Sequence, residues 1–124
     1  NYEKGYDDNY DGDYEEATML LTSSGVINRI TLKEISNQGS MEIEPKGYPC
    51  ILGKSKLSSD YIVDSPVVSR VHLRLSEEMS NYYVEDLNST NGTYVNGQKL
   101  EPHKPKEINV GDQITVADID FIVE

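Results

Sequence analysis

The chain has 124 residues, 36% hydrophobic content and a net charge of −11, enough for one domain with a single core plus an unfolded segment. So strong an acidic excess argues against a nucleic-acid partner, because a polyanion requires a basic face. The single cysteine, Cys50, excludes an intrachain disulfide, and with only His72 and His103 beside it the sequence offers no metal-ligand constellation.

The first segment is compositionally distinct. Residues 1–16 carry Glu3, Asp7, Asp8, Asp11, Asp13, Glu15 and Glu16 against the lone cation Lys4, with no aliphatic side chain among them. Such a stretch has nothing to bury, so residues 1–17 are expected to be a disordered acidic tail. Tyr2, Tyr6, Tyr10 and Tyr14 recur at helical spacing, but Gly5 and Gly12 between them would make a poor helix in water.

Residues 18–124 read as a folded, β-rich domain. Residues 17–21 approach a loop at 22–25, and 26–35 follow as a strand whose interrupted apolar pattern suggests a bulge or bend. After a turn at 36–39, Met41, Ile43 and Pro45 alternate with Glu42 and Glu44, the period of a half-buried strand. Residues 48–52 form a more apolar strand ending at Gly53, with Cys50 in it as a buried structural thiol. A loop at 54–59 leads to a short strand at 60–64, stopped by Ser65-Pro66. Val71, Leu73 and Leu75 alternate with His72, Arg74 and Ser76, a two-faced strand that returns through a polar hairpin loop at 77–81 into 82–87.

Next comes NSTNGTYVNG, residues 88–97. Asn96-Gly97 lies between Tyr94-Val95 and Gln98-Lys99-Leu100, where a two-residue type I′ hairpin would place it. Asn91-Gly92 has no strand on its left. Its flank, Asn88-Ser89-Thr90, offers hydroxyls, amides and bare backbone N–H groups, which suit an extended polar ligand; an ordinary Asx-rich turn is the alternative. An irregular link at 102–105 follows, then Ile108 and Val110 ahead of a Gly111-Asp112 turn, and strands at 114–116 and 119–123 joined at Ala117-Asp118. No convincing amphipathic helix is present, and short strands between turn signals argue for an antiparallel sandwich or barrel.

Charge is unevenly distributed. Residues 46–75 hold Lys46, Lys54, Lys56, Arg70 and Arg74 against Asp60 and Asp64, a local +3 on an acidic chain. A small basic site of this kind suits a compact anion such as a phosphate group.

Four segments occur in a fixed order: ILGK at 51–54, SRVH at 69–72, EDLNSTNGTYVNG at 85–97 and VGDQI at 110–114. In that order and spacing the chain resembles the forkhead-associated (FHA) domain family over residues 49–124. The resemblance implies an all-β, antiparallel β-sandwich that binds phosphothreonine peptides through loops at one end. It also implies residue roles. Ser69 contacts the phosphate, Arg70 helps hold the phosphate or peptide, Thr90 lies near the phosphothreonine, and Asn91 bonds the peptide backbone. Gly53 and Gly92 serve backbone geometry, and His72 braces the loops. Lys54 stands where the family normally has arginine, so a point charge replaces a two-pronged donor.

The resemblance further implies a signalling adaptor whose partner is a phosphothreonine-containing protein or peptide, and a Ser/Thr kinase or its substrate. No cofactor, metal or catalytic activity is expected. Ser69, His72 and Asp86 supply the letters of a hydrolytic triad, but nothing resembles a nucleophile elbow. Thr18, in an acidic-then-apolar setting, resembles the phosphorylated threonine of certain bacterial FHA proteins whose tail occupies their own domain; the approach to a first strand is the simpler reading. A phosphate-independent scaffold with a decayed site is the alternative function. There is no apolar run long enough to span a membrane and no signal peptide, and the lone cysteine suits a reducing, cytoplasmic setting, so no direct membrane contact is expected. Starting at Asn1, the chain is expected to be part of a longer polypeptide.

Overall fold

The computed structural model describes residues 29–35 and 41–124; the tail, Thr18 and the 36–39 turn lie outside the described residues. Eleven strands and no helix occur among the described residues. They are β1 (Leu32–Glu34), β2 (Glu42–Ile43), β3 (Cys50–Gly53), β4 (Tyr61–Ile62), β5 (Leu73–Glu78) and β6 (Asn81–Asp86), followed by β7 (Thr93–Val95), β8 (Gln98–Lys99), β9 (Lys106–Ile108), β10 (Gln113–Val116) and β11 (Ile119–Val123). One sheet has six strands in the order β8-β7-β10-β11-β1-β2, the other five in the order β9-β6-β5-β3-β4.

The two sheets pack as a sandwich whose core follows from the period-2 alternation of their strands. Leu52, Leu73, Leu75 and Val84 from one sheet and Leu32, Ile43, Ile114, Val116, Phe121 and Val123 from the other are fully buried. Removing each such side chain from water stabilises the fold by roughly 1.5–3 kcal/mol. Ile43 and Pro45 are buried while Glu42 and Glu44 are exposed, as the alternation there predicts.

The antiparallel β-sandwich expected from the sequence is present, with one parallel pair in it, β4 on β3. The segment between them folds back on itself, so that Asp60 N–H reaches Ile51 O at 2.8 Å and the chain restarts in its original direction. One expectation needs correction: His72 is not on an outer face beside Arg74. The strand begins only at Leu73, and a bend at Arg70-Val71 turns His72 inward, where it is 0% exposed.

The hairpins follow their turn chemistry. Asn96 and Gly97 take φ of 52° and 84°, the two positive values a type I′ turn requires, and close Val95 onto Gln98. Met79 and Ser80 do the same between Glu78 and Asn81, although neither residue favours that region.

Register decides which loops meet. Leu52 pairs with Leu73 and Leu73 with Asp86, so the end of β3, the start of β5 and the end of β6 share one pole. Val116 pairs with Thr93, and Ala117 N–H reaches Gly92 O at 3.0 Å, bringing the start of β7 to the same pole. At the opposite pole Thr31 and Glu124 exchange backbone hydrogen bonds of 2.9 and 2.8 Å.

Candidate functional site

Three loops converge at the first pole: residues 54–60 after β3, 63–72 before β5 and 87–92 after β6. The first two are pinned backbone to backbone. Lys54 N–H donates to Ser69 O at 2.9 Å, and Arg70 O accepts from Ser55 N–H at 3.0 Å and from the Ser59 hydroxyl at 2.9 Å. Gly53 makes this closeness possible. A Cβ built there would lie 2.1 Å from Arg70 O, a distance no side chain can occupy.

The second and third loops are joined by His72 and Ser69. Ser69 N–H donates to His72 Nδ1 at 3.1 Å, and His72 Nε2 lies 2.8 Å from Gly92 O. Since Nδ1 accepts, Nε2 carries the hydrogen and donates to the carbonyl, which assigns the tautomer. The Ser69 Oγ accepts from Thr90 N–H at 3.0 Å, leaving its own hydroxyl hydrogen free to turn toward a ligand. Asn91 Nδ2 donates to Val67 O at 2.7 Å, a further tie between the same loops.

The asparagine-rich loop is shaped from below by Asp86, which the Leu73 register places on the core face with 2% exposure. Its Oδ1 accepts from the hydroxyls of Ser89 at 2.6 Å and Thr93 at 2.7 Å, and its Oδ2 from Ser89 N–H at 3.1 Å. Ser89 Oγ in turn accepts Gly92 N–H at 3.0 Å. A buried carboxylate is tolerated where each oxygen is bonded in this way. Positive φ falls on Asn88 (62°) and Gly92 (89°), so within the Asn91-Gly92 pair the glycine alone uses it.

These loops enclose an open cleft of about 1110 Å³. Lys54, Ser69, Arg70 and Thr90 all line it, together with Lys56, Asn88 and the apolar Leu57 and Ile62. Of the residues assigned to the site by sequence, Asn91 does not line the cleft; it sits beside it, tied to Val67. Gly53, His72 and Gly92 are buried behind the loops they hold. Lys56, Asp86, Ser55 and Ser59 were not foreseen as parts of the site. A signal for Asp86 did exist: an aspartate three residues ahead of a serine in an Asn-rich turn is a loop-capping pattern.

The letters of a triad do not assemble. Ser69 offers its backbone N–H, not its hydroxyl, to His72, and Asp86 is occupied by Ser89 and Thr93. Cys50 lies in the core of the five-stranded sheet, where burial, with the Asp60 charge adding to it, pushes its thiol from 9.0 up to about 11. It is therefore not a nucleophile at neutral pH. Among the described residues no group of histidine, cysteine and carboxylate could hold a metal ion, and no helix is long and apolar enough to cross a membrane.

The FHA domain profile matches residues 50–117, more than half of the chain and all three of the converging loops. The chain belongs to the FHA domain family. FHA domains are binding modules rather than enzymes. Among its curated relatives, the Nostoc protein FraH is 32% identical over 104 residues, covering 77% of this chain and 36% of FraH. The human nuclear inhibitor of protein phosphatase 1 is 33% identical over 75 residues, covering 59% of this chain and 21% of that protein. The chain thus spans well under two thirds of the length of these relatives. Among solved FHA structures, Mycobacterium tuberculosis EmbR in complex with a low-affinity phosphopeptide superposes with a TM-score of 0.72 at 25% identity, covering 83% of this chain and 26% of that one.

Proposed function

We propose that this FHA domain is a phosphothreonine-peptide-binding signalling module acting in the cytoplasm, with a Ser/Thr kinase or a kinase substrate as its partner. The observation that carries the reading is the convergence of Lys54, Ser69, Arg70 and Thr90 on one open cleft. A phosphothreonine brings nearly two negative charges and three acceptor oxygens. The Lys54 ammonium and the Ser69 hydroxyl meet the phosphate, Arg70 adds a second cation, and Thr90 closes the side next to it. The Oδ1 of Asn91, which accepts no hydrogen bond among the described residues, is left to accept a peptide N–H, which would set the register of the bound chain. The phosphopeptide complex of EmbR supports this use of the fold.

The test is a titration of one peptide in phosphothreonine, phosphoserine and unphosphorylated forms. Phosphate-dependent binding at least tenfold tighter than the unmodified form is expected. Equal affinity for all three overturns the reading and favours the phosphate-independent scaffold, to which the lysine at position 54 would then point as a mark of a lost site.

Thr18 is assigned a regulatory part in the same proposal. Its acidic-then-apolar surroundings, Glu15 to Leu21, suit a phosphorylated segment that occupies this domain's own cleft. Phosphorylating Thr18 should lower affinity for an added phosphopeptide, and unchanged affinity removes the regulatory part.

A further inference from the structure

The 54–60 turn holds a cation for which one phosphate leaves no evident use. Ser55 organises the turn from inside: its Oγ accepts the N–H groups of Leu57 at 3.3 Å and Ser58 at 3.1 Å, and its carbonyl accepts Ser59 N–H at 3.0 Å. Asp60 closes the base, with Oδ2 accepting Ile51 N–H at 2.9 Å. From outside, the bonds to Ser69 O and Arg70 O fix the turn against the phosphate-facing loop. A lysine carried on this turn is thus held at a set place on the rim, with only its side chain free to move.

That lysine is Lys56, exposed and lining the same cleft as Lys54 and Arg70. Among the described residues, none of these three cations has a carboxylate within ion-pair distance. The cleft lining includes one acid, Asp64. On a chain of net charge −11, three cations on one cleft with no carboxylate partner among the described residues favour an anionic ligand there. Lys54 is tied to Ser69 by its backbone N–H and Arg70 follows Ser69 in the chain, whereas Lys56 stands two residues further along the turn.

We propose that Lys56 is a specificity-determining residue that reads a carboxylate side chain of the ligand next to the phosphothreonine, so that this domain selects phosphothreonine peptides with an adjacent aspartate or glutamate. The inference rests on the phosphothreonine reading above. Lys56 lies at the exposed rim, so the interaction is an exposed ion pair, modest and sensitive to salt.

The experiment uses an alanine-rich heptapeptide centred on phosphothreonine, and six variants carrying one aspartate at each flanking position, titrated by fluorescence anisotropy. At low salt at least one aspartate position should tighten binding by about threefold to fivefold over the parent peptide. Lys56→Gln should return that ratio to one, Lys56→Arg should keep it, and 1 M salt should erase it. No gain at any position overturns the inference, as does a gain that persists in Lys56→Gln. The parent peptide contains no carboxylate side chain, so its failure to bind better than its unphosphorylated form would instead overturn the phosphothreonine reading, and this inference with it.

Discussion

The ring of His72 spans the gap to the carbonyl of Gly92 at 2.8 Å, and in doing so a fully buried side chain sets the distance between two loops that are 20 residues apart in sequence. Its other nitrogen holds the backbone of Ser69. Replacing His72 by alanine removes both bonds and leaves a void, at a cost of about 3 kcal/mol. Chemical denaturation should show this loss, and peptide affinity should fall with it because Ser69 and Thr90 no longer share a frame. A variant of wild-type stability would show that the loops hold without the ring.

Gly53→Ala tests the close approach of the first two loops. The new methyl group meets the Arg70 backbone first and the Ser59 hydroxyl beside it, so either the turn or the Arg70 segment has to move. We expect a destabilisation of about 1–3 kcal/mol, in the range of overpacked interiors. Phosphopeptide binding should suffer more than the stability change alone would cause. Unaltered melting and affinity would mean that the Arg70 carbonyl can retreat freely.

Ser69→Ala and Asn91→Ala should each abolish most phosphothreonine-peptide binding. The serine loses a hydroxyl whose contact with a charged oxygen is worth about 1.5–3 kcal/mol, a tenfold to hundredfold change in affinity. It also frees Thr90 N–H, but on the surface, where water replaces the partner. The asparagine loses both its Val67 tie and its spare acceptor. Calorimetric titration at wild-type affinity in either variant would defeat the site assignment.

Lys54→Arg should strengthen binding or leave it unchanged, since arginine presents two donors to a phosphate where lysine presents a single charge. The backbone bond from position 54 to Ser69 O survives the substitution. Weaker binding would indicate that the longer, planar group does not fit the cleft.

Alkaline pH should destabilise the fold through Cys50 and Tyr48. Burial raises the thiol from 9.0 to about 11 and the phenol from 10.0 to about 12, so the folded state holds both protons more tightly than the unfolded chain does. Their contribution is intact below pH 9 and is lost as pH climbs through the folded values. Urea denaturation at pH 8, 9 and 10 should show stability falling over the last interval, with a shallower fall in Cys50→Ala. Identical slopes in the two proteins would remove Cys50 as a cause.

Much of the sandwich could be read from alternation alone. Ile43 and Pro45 inward with Glu42 and Glu44 outward, and the Asn96-Gly97 turn, follow from local chemistry that a single strand or dipeptide carries. The burial of His72 could not be read that way. Its orientation depends on a bend at Arg70-Val71 and on a carbonyl supplied by Gly92, neither of which is local to the strand pattern. The parallel pairing of β4 was hidden for a similar reason: it depends on the 54–60 turn bringing Asp60 back to Ile51. Lys56 was visible only as one unit of regional charge until the folding of its turn set it on the same cleft as Arg70.

The reciprocal bonds between Thr31 and Glu124 carry a practical consequence. Because the first strand of the described fold and the last residue leave side by side, at the pole facing away from the cleft, a surface, a fluorophore or a neighbouring protein attached at Glu124 hangs behind the cleft and not across its mouth. The domain behaves like a hand on a wrist: it can be grasped from the back while the fingers stay clear.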